Sequence, residues 1–202
     1  MPDRAPTIRD ATRADRRAVG DVLGAAFQVE PVYAWLFPDP AQRWRRLGPL
    51  IRTMVVHMHR DLGLVQVADI GGAVAGVAVW DAPGRLEPDR RHLLRAVPGM
   101  VRAVGRRLPD FARLGAAFTA ARPSVPHWYL SHLGVDPDRQ GHGVGAALLR
   151  AMPPARDGLP AYLECKPAHV GYYERFGFAV SGEVVVDPTL SVVTMWREPS
   201  RS

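Results

Sequence analysis

The chain has 202 residues, enough to bury a substantial core in one domain, and its apolar fraction of 47% is ordinary for a globular protein. No apolar run reaches the roughly eighteen residues of a membrane span. The polar stretch from Met1 to Asp15 lacks the apolar centre of a secretory leader, and the single cysteine, Cys165, excludes an internal disulfide and fits a cytoplasmic home.

The formal charge is +6, yet Lys166 is the only lysine among 26 basic residues. Richness in Arg, Ala, Gly and Pro reads as a GC-rich coding bias, which weakens any step from basicity to nucleic acid. A basic surface can equally steer a phosphorylated small molecule.

Thr7 to Asp10 reads as a first strand, and Thr12 as the start of a helix with Asp15 as a capping-box partner. Val19, Val22, Leu23, Ala26 and Phe27 recur at helical spacing along it. Glu30 to Phe37 is aromatic and bounded by Pro31 and Pro38, either core filler or one wall of a small-molecule pocket. Asp39-Pro40 opens a long helix whose stripe is Trp44, Leu47, Leu50, Ile51, Met54, Val55 and Met58. Gly48-Pro49 should kink or split it.

Leu64 to Asp69 and Ala73 to Trp80 read as strands joined by a Gly71-Gly72 hairpin, apolar enough for burial on both faces. From Gly84 to Pro126 the chain is helical and arginine-rich. Leu93, Leu94, Val97, Val101, Val104, Leu108 and Phe111 are expected inside, with Arg90, Arg91, Arg102, Arg106 and Arg107 outside, and breaks at Pro98 and Pro109. The alternative reading of this stretch, Arg85 to Arg122, is a nucleic-acid or acidic-partner patch. Few aromatics interleave with its arginines, so a stacking platform for single strands is missing.

His127 to Val135 is a strand, with Tyr129, Ser131, Leu133 and Val135 on one face and Trp128, Leu130 and His132 on the other. His132 is therefore expected to point away from Tyr129 and Ser131 and to be structural. The loop Gln140-Gly141-His142-Gly143-Val144-Gly145 follows and runs into a short helix from Ala146 that Pro153-Pro154 stops. Glycines let backbone approach a ligand, and a helix start offers free N–H groups, so the loop suits a phosphate-like anion. No Gly-Lys-Ser/Thr follows, and the position late in the chain is wrong for a dinucleotide fingerprint. Pro160 to Cys165 is another strand, Ala168 to Phe176 a helix closed by Gly177, and Phe178 to Val186 with Leu190 to Trp196 a final hairpin. The order predicts an α/β chain with a mixed sheet.

Two motifs carry a resemblance. Gln140-x-x-Gly143-x-Gly145 resembles the pyrophosphate loop of the GNAT superfamily of acyl-CoA-dependent N-acetyltransferases. Tyr173-Glu174-Arg175-Phe176-Gly177-Phe178 resembles the Tyr-Glu-x-x-Gly-Phe segment those enzymes carry one helix and one strand later. Arg9 to Asp15, Gly24 to Phe27, Gly134 to Pro137 and Pro160 to Glu164 are also similar to the puromycin N-acetyltransferases and their actinobacterial, hence bacterial, relatives. The departures are the proline-broken helix between the motifs and His169, where those relatives usually hold Asn.

The resemblance implies a GNAT-like acyl-CoA N-acyltransferase fold spanning 1–202 as a single domain with a helical insert about 85–126. Its sheet would be central, mixed and mostly antiparallel, flanked by helices on both faces. It implies a cytoplasmic N-acetyltransferase moving an acetyl group directly from acetyl-CoA to the amine of a small molecule. The alternative is a nucleic-acid-binding or regulatory CoA-binding module without catalysis.

Leu133, Val135, Gln140, Gly141, His142, Gly143, Val144, Gly145 and Ala146 would hold the cofactor, with a backbone N–H near Val135 facing the thioester oxygen. Tyr173 would protonate the departing thiolate, and Glu164 is the candidate base, either directly or through water, against a role as a mere anchor. Phe27, Glu30, Tyr33, Tyr129 and Ser131 would shape the acceptor pocket. Direct transfer does not need Cys165 as a nucleophile. The partners expected are acetyl-CoA and a small-molecule amine, with no nucleic acid, no membrane and no metal. His57 and His59, two apart on a helix, cannot share a face as ligands.

Overall fold

The computed structural model describes residues 5–59, 63–84, 90–153 and 158–199. The first residues of the arginine-rich stretch, the Arg90 side chain and Pro154 lie outside that description.

Seven strands form one sheet in the order β1-β2-β3-β4-β5-β7-β6. They are β1 Thr7–Asp10, β2 Gly63–Ile70, β3 Ala73–Asp81, β4 Trp128–Val135, β5 Ala161–Cys165, β6 Phe178–Asp187 and β7 Leu190–Arg197. Every neighbouring pair is antiparallel except β4 with β5. The helices are α1 Arg16–Ala26, α2 Pro31–Leu36, α3 Pro40–Met54, α4 Arg90–Val104, α5 Leu108–Ala121, α6 Val144–Arg150 and α7 Val170–Glu174.

β3 is buried along nearly its whole length, and its alternation divides the core. Val77 and Val79 join Val67, Leu23, Leu47 and Ile51 under α1 and α3. Ala78 and Trp80 join Leu130, Leu148, Leu163 and Met195 under α6 on the opposite face. The mostly antiparallel, two-sided α/β architecture is as expected. The hairpin before β3 turns on Gly71 and Gly72, whose φ values of 64° and 86° need no Cβ cost.

α1 and α3 cross at glycines. A Cβ added to Gly24 would stand 2.7 Å from the Gly48 Cα, and one on Gly20 would lie 3.1 Å from the Gly48 carbonyl oxygen. α1 begins at Arg16, later than the expected start at Thr12. The capping contact is nonetheless present, because the Thr12 N–H and hydroxyl both donate to Asp15 at 2.7 Å. Arg9 adds a two-pronged bond to the same carboxylate at 2.8 and 2.9 Å, which holds Asp15 well below the usual carboxylate range.

Several expectations are corrected. α3 runs on through Gly48-Pro49 to Met54 and ends in a π-helical turn, Val55–His59, instead of splitting. Trp44 falls off its buried stripe and is 65% exposed. α4 continues through Pro98, and Ala96, Ala103 and Val104 are its buried residues; Ala103 and Val104, with Met100 beside them, pack against Leu36, Phe37 and Leu50. Leu93, Leu94, Val97, Val101 and Leu108 are exposed instead. Arg107, expected outside, turns inward and donates to the carbonyls of Trp35 (2.7 Å) and Leu36 (3.1 Å). The aromatic segment Glu30 to Phe37 contains the short helix α2, with Pro31 at its first position and Glu30 and Phe37 as its caps.

Candidate active site

The sheet opens at one place. β4 and β5 pair from Trp128–Ala161 to Leu130–Leu163 and no further. Beyond that point β4 stays bound to β3 as far as Val135, and β5 stays bound to β7 as far as Cys165. The strands diverge, and β4 from Leu133 to Val135 borders a groove of about 800 Å³.

The glycine loop closes one end of this groove. Gly141 and Gly143 take φ values of 81° and 77°, a conformation L side chains rarely adopt, and a Cβ on either would meet nothing within 4 Å. The backbone there is bare and faces open space. Gly145 is required for a different reason: a Cβ on it would lie 2.7 Å from the Tyr172 hydroxyl. The Gln140 side chain donates to the Val135 carbonyl at 3.2 Å and ties the loop to the end of β4.

Leu133, Val135, Gln140, Gly141, Gly143, Val144, Gly145 and Ala146 all line the groove, together with Arg139, Arg150 and Arg175. His142 is not among the lining residues; its Nδ1 lies 2.8 Å from the Gln140 carbonyl oxygen on the exposed side of the loop.

A smaller cavity of about 130 Å³ adjoins the groove. Phe27, Glu30, Tyr33, Tyr129 and Ser131 line it, as do Phe118, Glu164 and His169. Tyr173 borders both spaces and therefore stands where they meet.

His132 corrects the expected alternation. Val79 pairs with His132 and Trp80 with Leu130, so Ser131 is left over as a bulge. The bulge turns Tyr129, Ser131 and His132 into the same cavity. His132 Nε2 is 3.2 Å from the Tyr33 hydroxyl and its Nδ1 is 3.2 Å from the Ser131 hydroxyl. Burial first, and then the neighbouring His59, push its imidazole down to about 3, so it is neutral at working pH. Beneath it the buried His59 and Asp81 side chains meet at 2.8 Å. Phe27 stacks on Tyr33 at 5.5 Å.

Glu164 comes from the last paired turn of β5 and faces Tyr129, Tyr162 and Arg122. Burial pushes its carboxyl up to about 7, against the pull of the Tyr129 hydroxyl, Arg122 and the Tyr162 hydroxyl. Arg122 lies over the Tyr129 ring, 4.0 Å from its centroid. Tyr173 sits against Tyr172 and Phe178, edge to face, and burial holds its hydroxyl well above the ordinary phenol range. Burial also pushes the Cys165 thiol up to about 12, with Glu30 and Glu164 adding to it. That thiol stays protonated and makes a poor nucleophile.

Reasoning from sequence missed Phe118 and Lys166 as wall residues of the cavity and Arg122 as the partner of the Tyr129 ring behind it. No local pattern marks them, because each is brought there by tertiary packing. Among the described residues no group of three His, Cys, Asp or Glu side chains could hold a metal ion, and no helix is long and apolar enough to cross a membrane.

Comparison with known proteins agrees with this geometry. Residues 101–180 match the acetyltransferase (GNAT) domain family. Over its whole length the chain is similar to the histone acetyltransferase HPA2 and related acetyltransferase from Corynebacterium glutamicum, at 28% identity and a TM-score of 0.76, covering 98% of this chain and 99% of that one. An N-acetyltransferase from Staphylococcus aureus shares the fold at 14% identity and a TM-score of 0.64, covering 94% and 99%. A GNAT acetyltransferase from Brucella melitensis, solved with acetyl-CoA, shares it at 20% identity and 0.50, covering 86% and 82%. The matched residues hold β4, the glycine loop, α6, β5 and α7. Residues 101–180 thus match a GNAT acetyltransferase domain, and the chain is an enzyme of the N-acetyltransferase class.

Proposed function

We propose that this chain moves an acetyl group from acetyl-CoA directly to a primary amine of a small molecule, as a single cytoplasmic domain. The observation that carries the reading is the divergence of β4 from β5, with a bare glycine cradle at one end and a small aromatic cavity at the other. The groove fits the cosubstrate in shape and chemistry. Backbone N–H groups at Gly141, Gly143, Val144 and Gly145 would take the pyrophosphate, with Arg139 and Arg150 adding charge. The open edge of β4 would pair with the pantetheine amides like an added strand. A backbone N–H near Val135 would face the thioester oxygen as negative charge develops there.

The amine must arrive or become neutral before it attacks. Glu164, with a carboxyl tuned near neutrality, is the base for it, acting directly or through water. Tyr173 remains protonated at any working pH and supplies the proton or hydrogen bond to the leaving thiolate.

The cavity's rings and its carboxylates, Glu30 and Glu164, suit an amine attached to a compact apolar or aromatic body. The proposal includes no nucleic-acid, membrane or metal partner. A panel of amines, including aminonucleosides, amino acids and peptide N-termini, monitored by thiol release, tests it. Release with a compact amine but not with peptides is expected. Release with peptides alone would overturn the small-molecule assignment.

A further inference from the structure

We propose that Lys166 is itself an acetyl acceptor, so that the enzyme acetylates its own side chain when acetyl-CoA is bound and no amine occupies the cavity. The inference rests on the acetyl-CoA reading above. Lys166 is the single lysine of the chain, and every other basic side chain of comparable reach is an arginine. A guanidinium does not give up its proton in a protein, whereas an ammonium does when a base and a desolvated pocket are at hand. No surface lysine competes with it for acetylation.

Its position is specific. Lys166 follows β5 directly and lines both the groove and the smaller cavity, in company with Glu30, His169 and Tyr173. Its Nζ donates to Glu30 Oε1 at 2.8 Å, and both side chains are 20% exposed. The amine is thus fixed at the junction where thioester and acceptor must meet, with a carboxylate oxygen already at hydrogen-bond distance. Holding reactants together in this way replaces a bimolecular encounter with an intramolecular one.

The step balances without a further reagent. The ammonium passes one proton to Glu30 and on to solvent. The neutral Nζ attacks the thioester carbonyl carbon, the new N–C bond forms and the C–S bond breaks. The second proton lost from nitrogen leaves with the sulfur, giving CoA thiol and an amide at Lys166. The amide carries no charge, so the ion pair to Glu30 ends, and Glu30 becomes available to a cationic acceptor in the same cavity.

The full chain is incubated with acetyl-CoA and no amine, and its intact mass and peptide map are followed over time. The expected result is one added acetyl group at Lys166, at a rate independent of protein concentration and well above that of the same chain unfolded in urea. Lys166→Arg should take no acetyl group, and an acetyl group found on that variant would place the modification elsewhere. Glu30→Gln should slow the modification several-fold. An unmodified Lys166 in a protein that CoA demonstrably stabilises would overturn the inference and leave the donor reading intact. Absence of any stabilisation by CoA would remove both.

Discussion

Tyr173 stands at the junction between groove and cavity and Glu164 lines the cavity, and burial acts on both in the same direction. The consequences differ because their ordinary values differ. Tyr173 is held in its acid form, so Tyr173→Phe should lower turnover by about 10²–10⁴-fold, the usual worth of a general acid. CoA-induced stabilisation should be unchanged, as a melting curve with CoA would show. Equal turnover would remove the acid role.

Glu164 is poised near 7, so kcat/KM of the wild type should rise as pH passes that value and the carboxylate becomes available. Glu164→Gln should be slow and should lose that rise. The same shift bears on stability. A carboxyl whose folded value is raised from 4.5 to about 7 favours the folded state fully below 4.5 and loses that contribution as pH climbs to about 7. Denaturant titrations should therefore show Glu164→Gln gaining on the wild type between pH 4.5 and 7.

At the scale of elements, the crossing of α1 over α3 sets the depth of the core beneath β3. Gly24→Ala places a methyl 2.7 Å from the Gly48 Cα, backbone that cannot rotate away. The helices must part, at a cost of about 1–3 kcal/mol, readable as a shifted denaturation midpoint.

This scale also shows what the sequence could carry. Strand and helix order was legible because β3, α1 and the Gly71-Gly72 turn each have a strong local signature. The cradle was legible because Gly141 and Gly143 need a conformation that only glycine takes without cost. His132 was misplaced because a bulge at Ser131 resets the alternation, and bulges depend on the partner strand's register rather than on local composition. The inward face of α4 was read only in part. Val104 is buried as expected, but Leu93, Leu94, Val97 and Val101 satisfy the helical period on a side that stays exposed, while Ala103 and Met100 meet Leu36 and Leu50. Arg122 and Phe118 reach Tyr129 and the cavity through tertiary packing alone.

At the scale of the molecule, one departure from regular pairing organises everything else. Among the described residues seven strands supply a frame, and β4 and β5 stop pairing partway along their facing edges. The glycine loop and α6 follow β4 and α7 follows β5, so one frame positions the groove and the cavity.

The central claim is that this groove binds CoA, and the most direct measurement is thermal unfolding of the wild-type chain across a CoA titration. At about 100-fold over its dissociation constant, CoA should add about 2.7 kcal/mol of stability, or roughly 5–10 °C for a chain of this size. A second arm uses Gly143→Val, which puts a β-branched residue where φ is 77° and a side chain over the cradle, and should lose most of that shift. A melting temperature of the wild-type chain that does not move in millimolar CoA would contradict the account.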